Sequence, residues 1–394
     1  MSLLSRYIQI DTTNPPGNEI KAAQFLADVL GREGIDARII KSAPGRANLY
    51  ARLKGDGSKK SVAMMHHMDV VPAAPQQWQE APFSGTVKQG VVWGRGARDN
   101  KGPGIMELMT LLTLKRQGVA LKGDVIFIGT ADEEAGGILG AGYLLDKHFE
   151  LFKDVSVVLN EGGGIRADEN GRARMYSVGI AEKVPLWLKL TAIGTPGHGA
   201  SPGSNQAVVK LIAALHRISN YQSPIKVVPE VQKFYADSAV SAPADRRTHY
   251  QDLRNALKDP AFAGEFAKDR SNNARVRNTL SITGIKGSDK INVIPALATA
   301  ELDVRLLPGE EPNAFIDDLR RVISDESIKI EIILSRSAAA SPVDPRAIQI
   351  IRELAQANDP GTPVIFPLGA GFTDCHFFRV KGIPCLGFIP QRST

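Results

Sequence analysis

The sequence predicts an α/β protein with a mixed central sheet, interrupted by an inserted ferredoxin-like α+β domain. Three observations carry that reading. Over residues 1–180, strand-sized apolar stretches alternate with stretches of helical period, the order of a layered α/β domain. From Val184 the texture changes to a β-α-β-β-α-β order, which is that of a small ferredoxin-like unit. After residue 338 the chain returns to a helix and two short strands, as if rejoining the first part. The expected organisation is therefore residues 1–180, an insertion over 181–337, and a return over 338–394.

Each element has its own signal. The turn-rich residues 11–17 lead into a helix from near Glu19, with Ala22, Ala23, Phe25, Leu26, Val29 and Leu30 at helical spacing, ending near Gly34. Strands are expected at about 47–53, 61–65, 124–129 and 155–159, with a helix over about 104–115. In the insertion, Val184, Leu186, Leu188 and Leu190 alternate with Pro185, Trp187 and Lys189, a strand with two distinct faces. A helix carrying Val208, Leu211, Ile212 and Leu215 comes next. Strands at 280–285 and 298–306, a helix around 315–323 and a strand at 328–334 complete the set. Residues 220–275 are polar, with little periodicity, and yield no element.

Composition narrows the function. At 394 residues the chain is long enough for two or three domains of roughly 150 residues. The net charge is +6, and no run of five or more basic residues makes a nucleic-acid stripe. No apolar stretch approaches the roughly 18 residues of a membrane span. The first residues lack the apolar core and cleavage site of a secretory signal, so the expected location is cytoplasmic. Cys375 and Cys385 stand ten apart without a CxxC. That spacing excludes a disulfide-built scaffold and a thiolate zinc finger, so a metal site must use His and carboxylates.

Such residues sit where chemistry is expected. His67 and Asp69 follow one apolar strand, Asp132, Glu133 and Glu134 a second, and Glu161 a third. In open α/β sheets ligands bind beyond the carboxyl ends of strands. A glycine-rich loop, Gly94 to Gly102, presents Asp99 just before a helix. His67, Asp99, Glu134 and Glu161 are donors suited to zinc, manganese or cobalt. Asp99 can bridge two ions, and Asp69 can fix the His67 tautomer. Glu133 and Glu134 are adjacent, so their side chains are expected to diverge, one binding metal and the other serving as general base.

Seven ordered stretches resemble one family: His67–Pro72, Gly94–Gly102, Asp132–Glu134, Asn160–Gly163, Gly194–Gly199, Asn292–Pro295 and Asp303–Gly309. Together they are similar to the zinc-dependent aminoacylase, succinyl-diaminopimelate desuccinylase and glutamate carboxypeptidase family of metallopeptidases. The resemblance implies a phosphorylase/hydrolase-like catalytic domain with an inserted lid domain. It implies two zinc ions, with Co2+ or Mn2+ as substitutes: His67, Asp99 and Glu161 hold one, and Asp99 and Glu134 the other. Glu133 becomes the general base, and His198 stabilises the oxyanion, in dimeric relatives across the subunit boundary. Asn292 and Arg305 bind a substrate carboxylate. The implied activity is cleavage of an amide next to a free carboxylate, in a small peptide or an N-acyl amino acid. The implied partner is a second copy joined through the lid, with no nucleic acid and no membrane.

One departure stands out. Relatives take the last ligand of the second zinc from a His after a final Gly-Phe-x-Pro strand, and no His follows Gly387-Phe388-Ile389-Pro390. The expectation is a ligand lost with a truncated C-terminal segment, with His376 as the substitute candidate; a non-catalytic ligand-binding relative is the rival from another class. Plainer readings accompany the others. His66 faces away from His67 and is structural, Glu133-Glu134 could open a solvated helix, and His198 could be a loop residue. Arg305 could pair with Asp303 or Glu301, and Asp132 is assigned no role beyond a cap. The Gly94–Gly102 loop lacks the Gly-Lys-Ser/Thr of a P-loop and the third glycine of a dinucleotide fingerprint, which excludes nucleotide binding.

Overall fold

A computed structural model describes residues 1–342 and 345–393. The chain divides into two compact units, Met1–Ile180 with Ala340–Phe366 and Thr373–Thr394, and Ala181–Ala339 with Pro367–Phe372.

In the first unit a short helix, Ser2–Ile8, precedes α1 (Glu19–Arg32), which buries Ala22, Ala23, Leu26, Val29 and Leu30 along one stripe. Then come β1 (Ala37–Ala43), β2 (Arg46–Leu53), β3 (Ser61–His67), α2 (Lys101–Arg116), β4 (Val125–Thr130) and β5 (Val155–Asn160). The alternation of strand side chains puts Met64 and Phe127 on one face of the sheet with Leu26, Leu30, Leu108 and Leu112. Met65, Ile126 and Ile128 go to the other face with Leu144, Phe152 and Phe378. Both faces are covered, which is why these strands read as continuous apolar runs. Each such fully buried side chain contributes about 1.5–3 kcal/mol.

In the second unit β6 (Val184–Ile193), α3 (Ala207–Ser219), β7 (Thr279–Lys286), β8 (Leu297–Leu306), α4 (Pro312–Ile323) and β9 (Lys329–Ser335) form an antiparallel sheet of order β7-β8-β6-β9 with two helices. Leu186, Leu188, Leu190, Leu302 and Val304 face Leu211, Leu215, Phe315 and Leu319. This is the ferredoxin-like arrangement. Residues 220–275, which yielded no element from sequence, fold as five short α-helices, Pro229–Ser238, Arg247–Gln251, Leu253–Ala256, Pro260–Lys268 and Arg270–Arg275, with a 3-10 turn at Ala239–Ser241. Tyr235 packs there against Phe234, Tyr250 and Phe266.

The return to the first unit brings α5 (Pro345–Asn358), α6 (Cys375–Val380) and β10 (Cys385–Gly387). Cys375 and Cys385 are joined by a disulfide, a single staple between α6 and β10. The completed sheet has the order β1-β2-β4-β3-β5-β10. β3 pairs parallel with β4 and with β5, and β5 with β10. The chain leaves β3 towards β4 and leaves β5 towards β10. Their carboxyl-end loops therefore part in opposite directions, and a crevice opens between them. Among the described residues no helix is long and apolar enough to cross a membrane.

Candidate metal centre

His67 is the last residue of β3 and is 2% exposed. Its neighbour His66 points to the opposite face, where Nε2 lies 3.2 Å from the Tyr7 hydroxyl and the ring stacks on Phe127. His66 is thus a core residue, as the alternation of the strand requires. The Nε2 of His67 lies 2.8 Å from Asp99 Oδ1 and 3.5 Å from Glu161 Oε1. Its Nδ1 faces the Asp69 carbonyl oxygen at 3.0 Å, with Asp69 Oδ1 at 3.4 Å. Asp69 therefore meets the ring more closely through its backbone carbonyl than through its carboxylate. Asp99 reaches the crevice from the glycine-rich loop. Gly96 there has φ +84°, and a Cβ on it would lie 2.8 Å from Val70 Cγ1.

Glu133 and Glu134 follow β4, but their side chains do not diverge. Asp132 takes a left-handed conformation (φ 70°, ψ 9°), and Glu133–Ala135 then form a single 3-10 turn. In the turn, donor atoms of both glutamates lie with one of His67 within 4.8 Å of one another. Donor atoms of His67, Asp99 and Glu161 meet the same limit. Asp69 holds the turn from beneath, its Oδ1 accepting from the Glu133 N–H at 3.2 Å and its Oδ2 from the Glu134 N–H at 3.1 Å.

The electrostatics are those of crowded acids around one imidazole. Burial pushes the Glu133 carboxyl well above its ordinary range and Glu134 up to about 6. Burial also pushes the neighbouring Asp374 up to about 8. Burial disfavours the charged form of His67, yet Glu161, Asp69 and Asp99 outweigh it and hold the imidazole well above its usual value. The hydrogen bond to His67 in turn holds Asp99 low. One nitrogen and several carboxylate oxygens converging with too few cations among them is the donor set a divalent cation of intermediate hardness takes. The residues present fit such an ion. Beside Glu161 opens a polar cavity of about 270 Å3 lined in part by Arg98, Asn100, Arg166 and Gln391.

Residues 63–393 match the profile of peptidase family M20/M25/M40. The chain belongs to this family. Among M20 relatives, human N-fatty-acyl-amino acid synthase/hydrolase PM20D1 is 26% identical over 345 residues, 84% of this chain and 67% of that protein. The chain thus spans about two thirds of that protein's length. Rat aminoacylase-1B is 24% identical over 404 residues, covering all of this chain and 87% of that one. The crystal structure of the M20 family metallo-carboxypeptidase Sso-CP2 from Sulfolobus solfataricus superposes with a TM-score of 0.73 at 20% identity, over 98% of this chain and 90% of that one. The α/β fold with an inserted antiparallel domain is thus the M20 fold.

The remaining expected residues divide by unit. His198, Asn292 and Arg305 belong to the second unit. His198 is exposed in a two-residue strand, Gly197–His198, and its Nδ1 accepts from the Ala200 N–H at 3.1 Å. Asn292 is exposed beside it, its carbonyl accepting from the Gly199 N–H at 2.9 Å. Arg305 forms a two-point pair with Asp303, at 2.7 and 3.1 Å, the plainer of its two readings from sequence. His376, the substitute candidate, is buried in α6 with its ring edge-on to Phe377, and it joins neither donor group among the described residues. Sequence reasoning passed over Asn14, Glu19, Arg46 and Asp374, and gave Asp132 no role. Of these only Asp132, in its run of three acids, carried a local signal.

Proposed function

We propose that this chain is a co-catalytic metallohydrolase that cleaves an amide bond next to a free carboxylate, as an exopeptidase of the carboxypeptidase type. The observation that supports it is the convergence of His67, Asp99 and Glu161, with Glu133 and Glu134 against the same imidazole. His67, Asp99 and Glu161 would hold one ion, and Asp99 and Glu134 a second, with zinc the native metal. Bound there, the ions would polarise the scissile carbonyl and acidify the attacking water. Glu133 takes that water's proton as the C–O bond forms and delivers it to the nitrogen of the tetrahedral adduct, whose collapse breaks the C–N bond and releases a neutral amine. Asp69 keeps His67 in one orientation throughout. His198 donates to the carbonyl oxygen, across the subunit boundary of a homodimer built through the second unit. Asn292 and Arg305 bind the substrate carboxylate, Arg305 exchanging Asp303 for it.

A second reading, N-acyl-amino-acid deacylase, draws support from what aminoacylase-1B and the N-fatty-acyl-amino acid synthase/hydrolase are named for. Both readings use the same machinery and differ on the acyl side of the bond. The zinc-loaded chain is assayed on dipeptides and on N-acyl amino acids, with and without chelator. Chelator-sensitive turnover supports the hydrolase, and the preferred substrate class selects between the readings. Glu133→Ala should abolish turnover and leave metal bound. Full activity in that variant overturns the mechanism, and metal binding without turnover of either class leaves a ligand-binding relative.

A further inference from the structure

Behind the acid turn lies a buried polar chain that the reaction as described does not use. Arg46 opens β2, and Glu19 opens α1. Arg46 Nε donates to Glu19 Oε2 at 2.6 Å and Nη2 donates to Oε1 at 2.7 Å, a two-point pair in which Glu19 is fully buried and Arg46 8% exposed. The same Nη2 donates to Asp132 Oδ1 at 2.9 Å. Glu19 Oε1 in turn accepts from the Asp132 N–H at 3.3 Å. Both ends of Asp132, backbone and side chain, are therefore fixed by one ion pair. Its Oδ2 accepts from the Leu139 N–H at 3.0 Å, and its carbonyl from the N–H groups of Ala135 and Gly137. Asn14 closes the chain, its Nδ2 donating to Asp132 Oδ1 at 3.3 Å and to Asp69 Oδ2 at 2.8 Å.

A non-glycine residue in the left-handed region is uncommon, and it persists where its surroundings over-determine it. Asp132 is such a residue, and the two glutamates it launches are the donors that meet His67. Gly17 makes room for the device: a Cβ on it would lie 2.3 Å from Arg46 Nε. The other arginine of the same strand supplies a contrast. Arg52, at the far end of β2, pairs with Asp124 and Asp154, neither of which belongs to a donor group among the described residues.

We propose that Arg46 is a positioning residue: clamped by Glu19, it locks Asp132 in its left-handed conformation and so aims Glu133 and Glu134 at the metal cluster. Only the kinetic arm of its test rests on the hydrolase reading. The full-length chain is titrated with Co2+ and read by visible absorption, for Arg46→Met, Arg46→Lys, Asp132→Asn and the control Arg52→Met. Arg46→Met and Asp132→Asn should weaken Co2+ binding about 10–100-fold and alter the ligand-field bands. Arg46→Lys should recover part of both, and Arg52→Met should match the native chain even where its melting temperature falls. On a hydrolysed substrate, kcat should drop with the affinity while KM changes little, because Arg46 does not meet substrate. Native affinity and bands in both Arg46→Met and Asp132→Asn overturn the proposal. Should Arg46→Met fail to fold, Asp132→Asn decides alone, since Asn has the same size and tolerates the left-handed region. A native chain that binds Co2+ but hydrolyses nothing removes the hydrolase reading and leaves the Co2+ comparison standing.

Discussion

Asp69 Oδ2 accepts from the backbone N–H of Glu134 at 3.1 Å, and the same oxygen accepts from Asn14 Nδ2 at 2.8 Å. A carboxylate at the end of β3 thereby fixes a turn at the end of β4, which lies beside it in the sheet. All its partners are donors, so only an acceptor-only group satisfies them. Asp69→Asn sets an amide N–H2 against two backbone N–H groups in a buried site. It should destabilise the fold by about 1–3 kcal/mol, read by denaturant unfolding. It should also lower metal content per chain, because the turn carrying Glu133 and Glu134 loses its seat. Native stability with full metal content would show that the turn holds itself.

Lys183 gives a pH dependence that can be isolated. It is 1% exposed, its Nζ donating to the Arg277 carbonyl at 2.8 Å and the Thr279 hydroxyl at 2.9 Å. Burial, helped by the Arg305 charge, pushes its pKa down from 10.5 to about 7. In the unfolded chain the amine binds its proton up to the ordinary value; in the fold it releases it above about 7. Between those limits the unfolded state holds more protons, so stability rises with pH across the window and is flat below it. Lys183→Met should remove that slope. The difference in unfolding free energy between native and variant chains should grow in the native chain's favour by about 2–3 kcal/mol from pH 7.5 to 9.5. A constant difference would show that the amine titrates alike in both states.

The contrast between Lys183 and the candidate metal donors shows what a sequence exposes. His67, Asp99 and Glu161 each end an apolar run or sit in a glycine-rich loop, so their placement follows from local pattern. The two faces of β6 were legible because one face of an antiparallel sheet meets the helices and the other does not. The turn that brings Glu133 and Glu134 together was not legible, since the left-handed Asp132 before it is hydrogen-bonded to Arg46, 86 residues away. Asn14 lies 118 residues from Asp132, and no local pattern links them. Residues 220–275 hid their helices because pieces of four to ten residues span too few turns to show a period. Their signal lay in the caps: the side chains of Asp252, Asp259 and Asp269 each accept from an N–H in the first turn of the helix that follows.

The disulfide offers a stability test independent of the metal. Cys375 and Cys385 close a short loop, their separation being 10 residues. Loop-closure entropy for that length corresponds to about 2–3 kcal/mol. The double variant Cys375→Ala, Cys385→Ala should lose about that much in denaturant unfolding, and the reductant-treated native chain should lose a similar amount. Reductant should not change the double variant. A native chain indifferent to reductant would indicate that packing of α6 against β10 suffices.

Arg305 carries the expectation about substrate. Its guanidinium donates from Nε and Nη2 to Asp303, and Asp303 Oδ1 also accepts from Trp187 Nε1 at 3.1 Å. The pair holds the planar guanidinium fork in the two-point geometry that a second carboxylate would need in order to replace Asp303. Arg305→Met should raise KM for a dipeptide with a free C-terminal carboxylate by about tenfold or more, with a smaller effect on kcat. The amidated dipeptide has no carboxylate to lose, so its KM should be the same in both chains. Arg305→Lys should resemble the Met variant, because an ammonium offers a point charge where two parallel donors are needed. An equal rise for the free and amidated substrates would assign Arg305 to the folding of its strand and move carboxylate recognition to another residue.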